Sequence, residues 1–189
     1  MLSVIIPTEG VEPPTVATLA ALVPGAAAGV VREVLLVDRS DDSSVIERVA
    51  DVAGCRFLKF EGSRAAALAA GAQAARSPWL MFLRPGAVLD AGWIDETAQF
   101  IQRVSTGNRL RAGVFRYARS PYAEPNLRDR LSFVARMIAG PRADQGLLIA
   151  REHYDRLGGH PTGPRAEAKL LRRLGRSSRT LLRSRIIMV

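Results

Sequence analysis

Four short apolar runs, each followed by a stretch of helical character, do most to limit what this chain can fold into. Leu2–Ile6 is β-branched and stopped by Pro7, and Glu33–Val37 ends at Asp38. Cys55–Phe60 and Trp79–Leu83 are the third and fourth runs. Runs this short and this apolar read as strands covered on both faces. Between and after them lie Pro13–Leu22, Ser43–Ala53, Ser63–Ala75 and Trp93–Val104. Pro13 and Pro14 suit a first helical turn. Val45, Val49 and Val52 are expected on the inward face of the second helix, and Ile94, Phe100, Ile101 and Val104 on that of the fourth. The order βαβαβαβα predicts an α/β fold with a mostly parallel central sheet and helices on both faces.

The remainder is less periodic. Leu110–Tyr117, Gln145–Ile149 and Ser184–Val189 are expected strands, and Leu127–Ile138, Arg151–Leu157 and Glu167–Leu174 expected helices. Gly158-Gly159 and Gly175 close the last two helices. Pro121, Pro125 and Pro141 punctuate loops, and no repeat or low-complexity linker divides the chain. One domain over 1–189 is the expectation, with residues 1–105 as a nucleotide-binding half and 106–189 as an acceptor-side half.

In an open parallel sheet, ligands bind beyond the carboxyl ends of the strands. That rule selects Pro7-Thr8, Asp38-Arg39, Gly62-Ser63-Arg64 and Arg84–Ala87. Asp38 suits either hydrogen bonding to a base or ribose, or the capping of its own turn. Gly62, Ser63 and Arg64 open a helix, where free N–H groups and the dipole favour an anion; an ordinary Ser cap is the alternative.

Charge adds a weaker constraint. The net charge is +9, and Lys59 and Lys169 are the only lysines among 27 basic residues. A balance this basic favours anionic partners. Residues 151–189 hold ten basic residues against Glu152, Asp155 and Glu167, which suits either a solvated helix face or an anionic membrane surface. Nucleic acid is not an expected partner: no helix-turn-helix, zinc finger or aromatic platform is visible, and aromatics make up 6%. Val16–Val31, the most apolar window, is short and broken by Pro24, Gly25 and Gly29, so no membrane span is expected. Cys55 is alone in the chain and reads as a small core residue. His153 and His160 lack partners at metal spacing and read as surface residues. With no basic leader and no possible internal disulfide, the expected location is cytoplasmic, with contact at the inner membrane as an option.

The ordered segments resemble those of bacterial family 2 glycosyltransferases with the GT-A fold, in particular a small subgroup of about this length. "SVIIPT" resembles the first strand and its turn, and "EVLLVDRSDDSS" the strand whose Asp contacts the nucleotide base. "GSRAAALAAGAQAARSPWLMFLRPGAVLDAGW" resembles the segment from the Gly-Arg-Ala turn to the metal loop. "ADQGLLIAREHYDRLGGHP" resembles the Asp-Gln-Gly strand, and "LLRRLGR" with "SRIIMV" the closing helix and strand.

The resemblance implies a nucleotide-diphospho-sugar transferase-like fold and transfer of a sugar to an acceptor hydroxyl. It implies Pro7, Thr8, Asp38 and Arg64 against the nucleotide diphosphate, Asp144 and Gln145 on the acceptor side, and Glu167 as catalytic base; a loop cap is the alternative for Asp144 and Gln145, and a first-turn helix acid for Glu167. The departures are concentrated at polar positions. Glu9, Gly10 and Val11 replace the usual Asn-Glu, Arg39 replaces a small residue, and Ala67 and Ala69 replace amides. Arg84-Pro85-Gly86-Ala87 stands where His-Ala-Asp-Thr is usual, and Ala166-Glu167 where Glu-Asp is usual. With Gly86 at the usual ligand position, no metal cofactor is expected, a divalent metal being the alternative; Arg84 suits either the screening of a nucleotide diphosphate in its place or a side chain pointing to water. A catalytically inactive relative that binds a nucleotide or a protein is the alternative.

Overall fold

The computed structural model describes residues 1–107, 109–118, 145–163 and 165–189. The expected helix over 127–138 and the site residue Asp144 lie outside them. The elements are β1 (Leu2–Thr8), α1 (Glu12–Ala27), β2 (Val31–Asp38), α2 (Ser44–Ala53), β3 (Arg56–Lys59), α3 (Arg64–Ala74), β4 (Trp79–Phe82), β5 (Ala87–Leu89), α4 (Trp93–Thr106), β6 (Ala112–Ala118), β7 (Leu147–Ala150), α5 (Arg151–Arg156), α6 (Ala166–Leu174) and β8 (Arg179–Met188). The strands form a sheet of order β3-β2-β1-β4-β7-β6-β8-β5. β1, β2, β3 and β4 are mutually parallel where they pair. β7 runs antiparallel to β4 and β6, and β5 antiparallel to β8, while β6 and β8 are parallel.

Alternate residues of one strand serve opposite cores. Val4 and Ile6 join Leu22, Ile46, Met81, Trp93 and Phe100 on the face covered by α1, α2 and α4. Ile5 joins Leu68, Leu80, Phe82, Tyr154, Leu170 and Leu174 on the face covered by α3, α5 and α6. Each fully buried side chain of this size contributes about 1.5–3 kcal/mol. The small residues of α3 have a specific use. A Cβ at Gly71 would sit 2.5 Å from Ile5 Cγ2, so only glycine lets the helix lie this close to β1. That approach fixes where Arg64, at the head of α3, stands on the rim.

Three expectations change. The inward face of α2 is Ile46 and Ala50, whereas Val45 and Val49 are half-buried and Val52 is 86% exposed. β5 was not expected, and β8 begins at Arg179 rather than Ser184. His153 and His160 are buried, not on the surface. Cys55 is a free, half-buried thiol, with burial pushing its pKa up. Several basic residues after 150 also have local work. Arg151 donates to the carbonyls of Ala72, Ala75 and Ser77, Arg173 to Leu157 and Arg179 to Gly175. Among the described residues no helix is long and apolar enough to cross a membrane.

Candidate functional site

The carboxyl ends of β1, β2 and β4 and the head of α3 meet at one rim, and two polar clusters form there. The first surrounds Asp38, which is fully buried at the end of β2. Thr8 Oγ1 and the Gly10 N–H donate to its Oδ1 at 2.8 and 3.0 Å. The Ser40 N–H and hydroxyl donate to Oδ2. Burial pushes the Asp38 pKa up, but hydrogen bonds from Ser40, Thr8 and Gly10 outweigh it and leave the carboxyl below its ordinary range. Beside it, Arg39 pairs with Glu9 at 2.6 Å and donates to the Gly62 carbonyl at 2.9 Å, tying three loops together. The cluster holds the rim in shape. The Thr8 hydroxyl is committed to it, and Pro7 is a register partner of Val37 within the sheet.

The second cluster is built from distant parts of the chain. Ser63 caps α3, accepting from the Ala66 N–H at 3.2 Å, so Arg64 in the first turn is free to reach outward. Arg84 follows β4. Glu167 lies in the first turn of α6, two residues after Arg165, whose φ of 57° is left-handed and uncommon for a residue with a side chain. Arg64 Nε lies 3.1 Å from Glu167 Oε1, and Arg84 Nη2 lies 3.7 Å from Oε2. Both guanidinium groups therefore converge on one carboxylate. Burial, together with the like charge of Arg84, pulls the Arg64 pKa down, while Glu167 pulls it back up. Arg84 Nε is buried and has no hydrogen-bond partner among the described residues.

His160 completes this cluster. It lines a cavity of about 10 Å³ with Arg64, Phe82, Arg84, Leu147 and Glu167, a space no larger than one water. The Tyr154 hydroxyl sits 2.8 Å from its Nδ1 and accepts its backbone N–H at 3.1 Å. The Phe82 ring meets the imidazole edge-on at 4.8 Å. Burial lowers the His160 pKa to about 4, and burial also raises that of Tyr154 to about 12, so both are neutral at pH 7. His160 and Tyr154 were absent from the sequence-derived site. The usable signal was Gly158-Gly159, whose φ values of 75° and 64° turn the chain back so that His160 meets the end of α5. Gln145 is buried just ahead of β7, whose Leu147 is in register with Phe82 of β4.

The loop from Arg84 to Ala87 does not fit a divalent metal. Gly86 has φ 86°, and a Cβ there would lie 2.6 Å from the Val189 carbonyl oxygen. The Val189 N–H donates to the Gly86 carbonyl at 3.0 Å, and the Gly86 N–H to the Pro14 carbonyl at 2.7 Å. The space a ligating side chain would need is filled by backbone. No group of three or more His, Cys, Asp or Glu suited to a metal occurs among the described residues.

No family model matches the chain, and no curated protein matches it. Solved structures do. A mycobacterial protein superimposes with TM-score 0.69 at 19% identity, over 100% of this chain and 67% of its own. Glucosyl-3-phosphoglycerate synthase from Mycobacterium tuberculosis, in complex with Mn2+, UDP and glucosyl-3-phosphoglycerate, does so with TM-score 0.68 at 17% identity, over 100% of this chain and 70% of the synthase. The fold is GT-A. S. aureus TarS gives TM-score 0.69 at 13% identity over 100% of this chain and 60% of that one. This chain thus spans between 60% and 70% of the length of these three solved structures.

Proposed function

We propose that the chain is a glycosyltransferase-like protein that takes a nucleoside diphosphate sugar and transfers the sugar to an acceptor hydroxyl. The observation that carries this is the convergence of Arg64 and Arg84 on a single oxyanion, Glu167. Two guanidinium groups aimed at one point suit a diphosphate, which offers several oxygens and more negative charge than a carboxylate. Transfer forms a bond between the acceptor oxygen and the anomeric carbon and breaks the bond from that carbon to the diphosphate. The bonding pair leaves with the diphosphate, where Arg64 and Arg84 meet the charge. Glu167 takes the proton from the acceptor hydroxyl. Gln145 is assigned to the acceptor side, and the sequence resemblance assigns Asp144 the same role. Asp38 acts through the loops it holds and not by direct contact with the base. Manganese and UDP are bound by the synthase that shares the fold. Here Arg84 takes over the neutralising role, because the 84–87 loop has no room for a ligating carboxylate.

The test is release of nucleoside diphosphate from a panel of UDP-, GDP- and dTDP-sugars, with and without manganese. Release that is independent of manganese and falls at least about tenfold in Arg84→Gln supports the reading. Absence of release, together with absence of thermal stabilisation by any of the three nucleoside diphosphates, overturns it. The near-filled cavity favours a second reading, a non-catalytic nucleotide- or protein-binding relative. Thermal stabilisation by a nucleotide without turnover of any sugar would select it. Contact with an anionic membrane surface is an extension of either reading and rests on net charge.

A further inference from the structure

The carboxylate of Glu167 occupies the very place where the two arginines would hold a ligand. Its oxygens are divided, one to each guanidinium, at 3.1 and 3.7 Å. The cavity beside them has room for no more than a water. Glu167 therefore fills the place between the two guanidinium groups that a phosphate bridging both of them would need. While it faces both guanidinium groups, Glu167 is also a weaker base toward a hydroxyl, because their positive charge favours its ionised form. The pairing is also incomplete: Arg84 stands 3.7 Å away and its buried Nε has no acceptor among the described residues. A tetrahedral oxyanion can accept from Nε and Nη2 of Arg84 together while another of its oxygens serves Arg64, which one carboxylate does not achieve here.

We infer that Glu167 is an intramolecular stand-in for a phosphate group, and that a diphosphate binding at Arg64 and Arg84 displaces it and so frees it to act as base. This deepens the proposed function and rests on it. It imposes an order: the phosphorylated donor binds first, and only then is a free carboxylate present for the acceptor. The ligand class is a diphosphate, or a phosphate ester presenting at least three oxygens. A neutral sugar alone has no means to move Glu167.

The experiment is calorimetric titration of inorganic diphosphate into the full chain, its Glu167→Gln variant and a control, Glu9→Gln. Glu9 is also close enough to raise the Arg64 pKa but pairs with Arg39, so it reports the effect of removing a nearby charge without removing a competitor. Glu167→Gln is expected to bind diphosphate about tenfold more tightly than the parent, and Glu9→Gln no more than about twofold. Equal or weaker binding by Glu167→Gln, or an equal gain in Glu9→Gln, overturns the displacement and leaves the proposed function standing. Failure of all three proteins to bind diphosphate overturns both. Hydrogen exchange on the parent protein gives a variant-free measurement. Saturating diphosphate should change the exchange of amides in the first turn of α6, and an unchanged first turn counts against the inference.

Discussion

Asp38 and Glu167 are both carboxylates at the same sheet rim, and they are satisfied in opposite ways. Asp38 is fully buried and takes hydrogen bonds from Thr8, Gly10 and Ser40, all within a few residues of the two strand ends it joins. Glu167 is partly exposed, and its partners Arg64 and Arg84 come from separate elements and carry charges of their own. The first carboxylate is consumed by the fold. The second leaves a donor of Arg84 unmatched among the described residues, and a surplus positive charge. Two carboxylates at one rim thus differ in how much of their hydrogen-bonding capacity the fold itself takes up.

The comparison can be broken most forcefully at Asp38. Asp38→Ala strips the acceptor from the buried Thr8 hydroxyl and from the part-buried donors of Gly10 and Ser40, and is expected to cost about 4 kcal/mol, or roughly 10 °C in melting temperature. A loss below about 1 kcal/mol in urea denaturation would show that the cluster is not structural.

A pH series probes the second cluster. His160 titrates near 4 in the folded protein because burial disfavours its charged form, with Arg64 opposing and Glu167 favouring protonation. The unfolded chain takes up that proton near the ordinary value of about 6.5. Between those two values the unfolded state binds more protons, so stability rises with pH, by about 3 kcal/mol across the window. Asp38, held below its ordinary range, contributes stability above its unfolded pKa and loses it as pH falls further. In His160→Gln the slope between pH 4 and 6.5 should fall by more than half in denaturation curves, the remainder coming from His153, whose pKa burial also lowers.

The third loop of the rim sharpens the contrast. Gly86→Asp restores an acidic side chain at the position usual for a metal ligand, yet its Cβ meets the Val189 oxygen and its φ is positive. It should destabilise by about 2 kcal/mol and confer no manganese dependence on thermal stability. The smallest structural effect belongs to Arg84→Gln. Its ion pair is long and partly solvated, so stability should change by less than about 1 kcal/mol. Diphosphate binding should still fall about tenfold or more. Denaturation and titration on the same preparation separate the two.

Much of the fold could be read from the chain because apolar runs of four to eight residues between amphipathic stretches leave few arrangements. β5 could not, since three residues carry little periodic signal and their partner strand lies about a hundred positions later. On α2, three valines drew the inward face away from Ile46 and Ala50, which a helical spacing of four also permits. At the site, the order of motifs pointed to Arg64, Arg84 and Glu167, and these do meet. Asp38 stayed ambiguous because capping and base contact need the same residue type at a strand end. His160 was missed because an isolated histidine has no spacing to betray it, and its pairing with Tyr154 exists only once two glycines reverse the chain.

Arg151 fastens the turn after α3 to the start of α5 through three carbonyls. α3 carries Arg64 at its opposite end, about 16 Å away for eleven residues, and α5 leads through the glycine turn to His160. One guanidinium far from any ligand therefore sets the spacing between two sides of the cavity. A screen for lost activity should recover substitutions at Arg151 that leave every ligand-facing atom in place, and compensating changes should cluster in the small residues along α3, where the helix slides on the sheet.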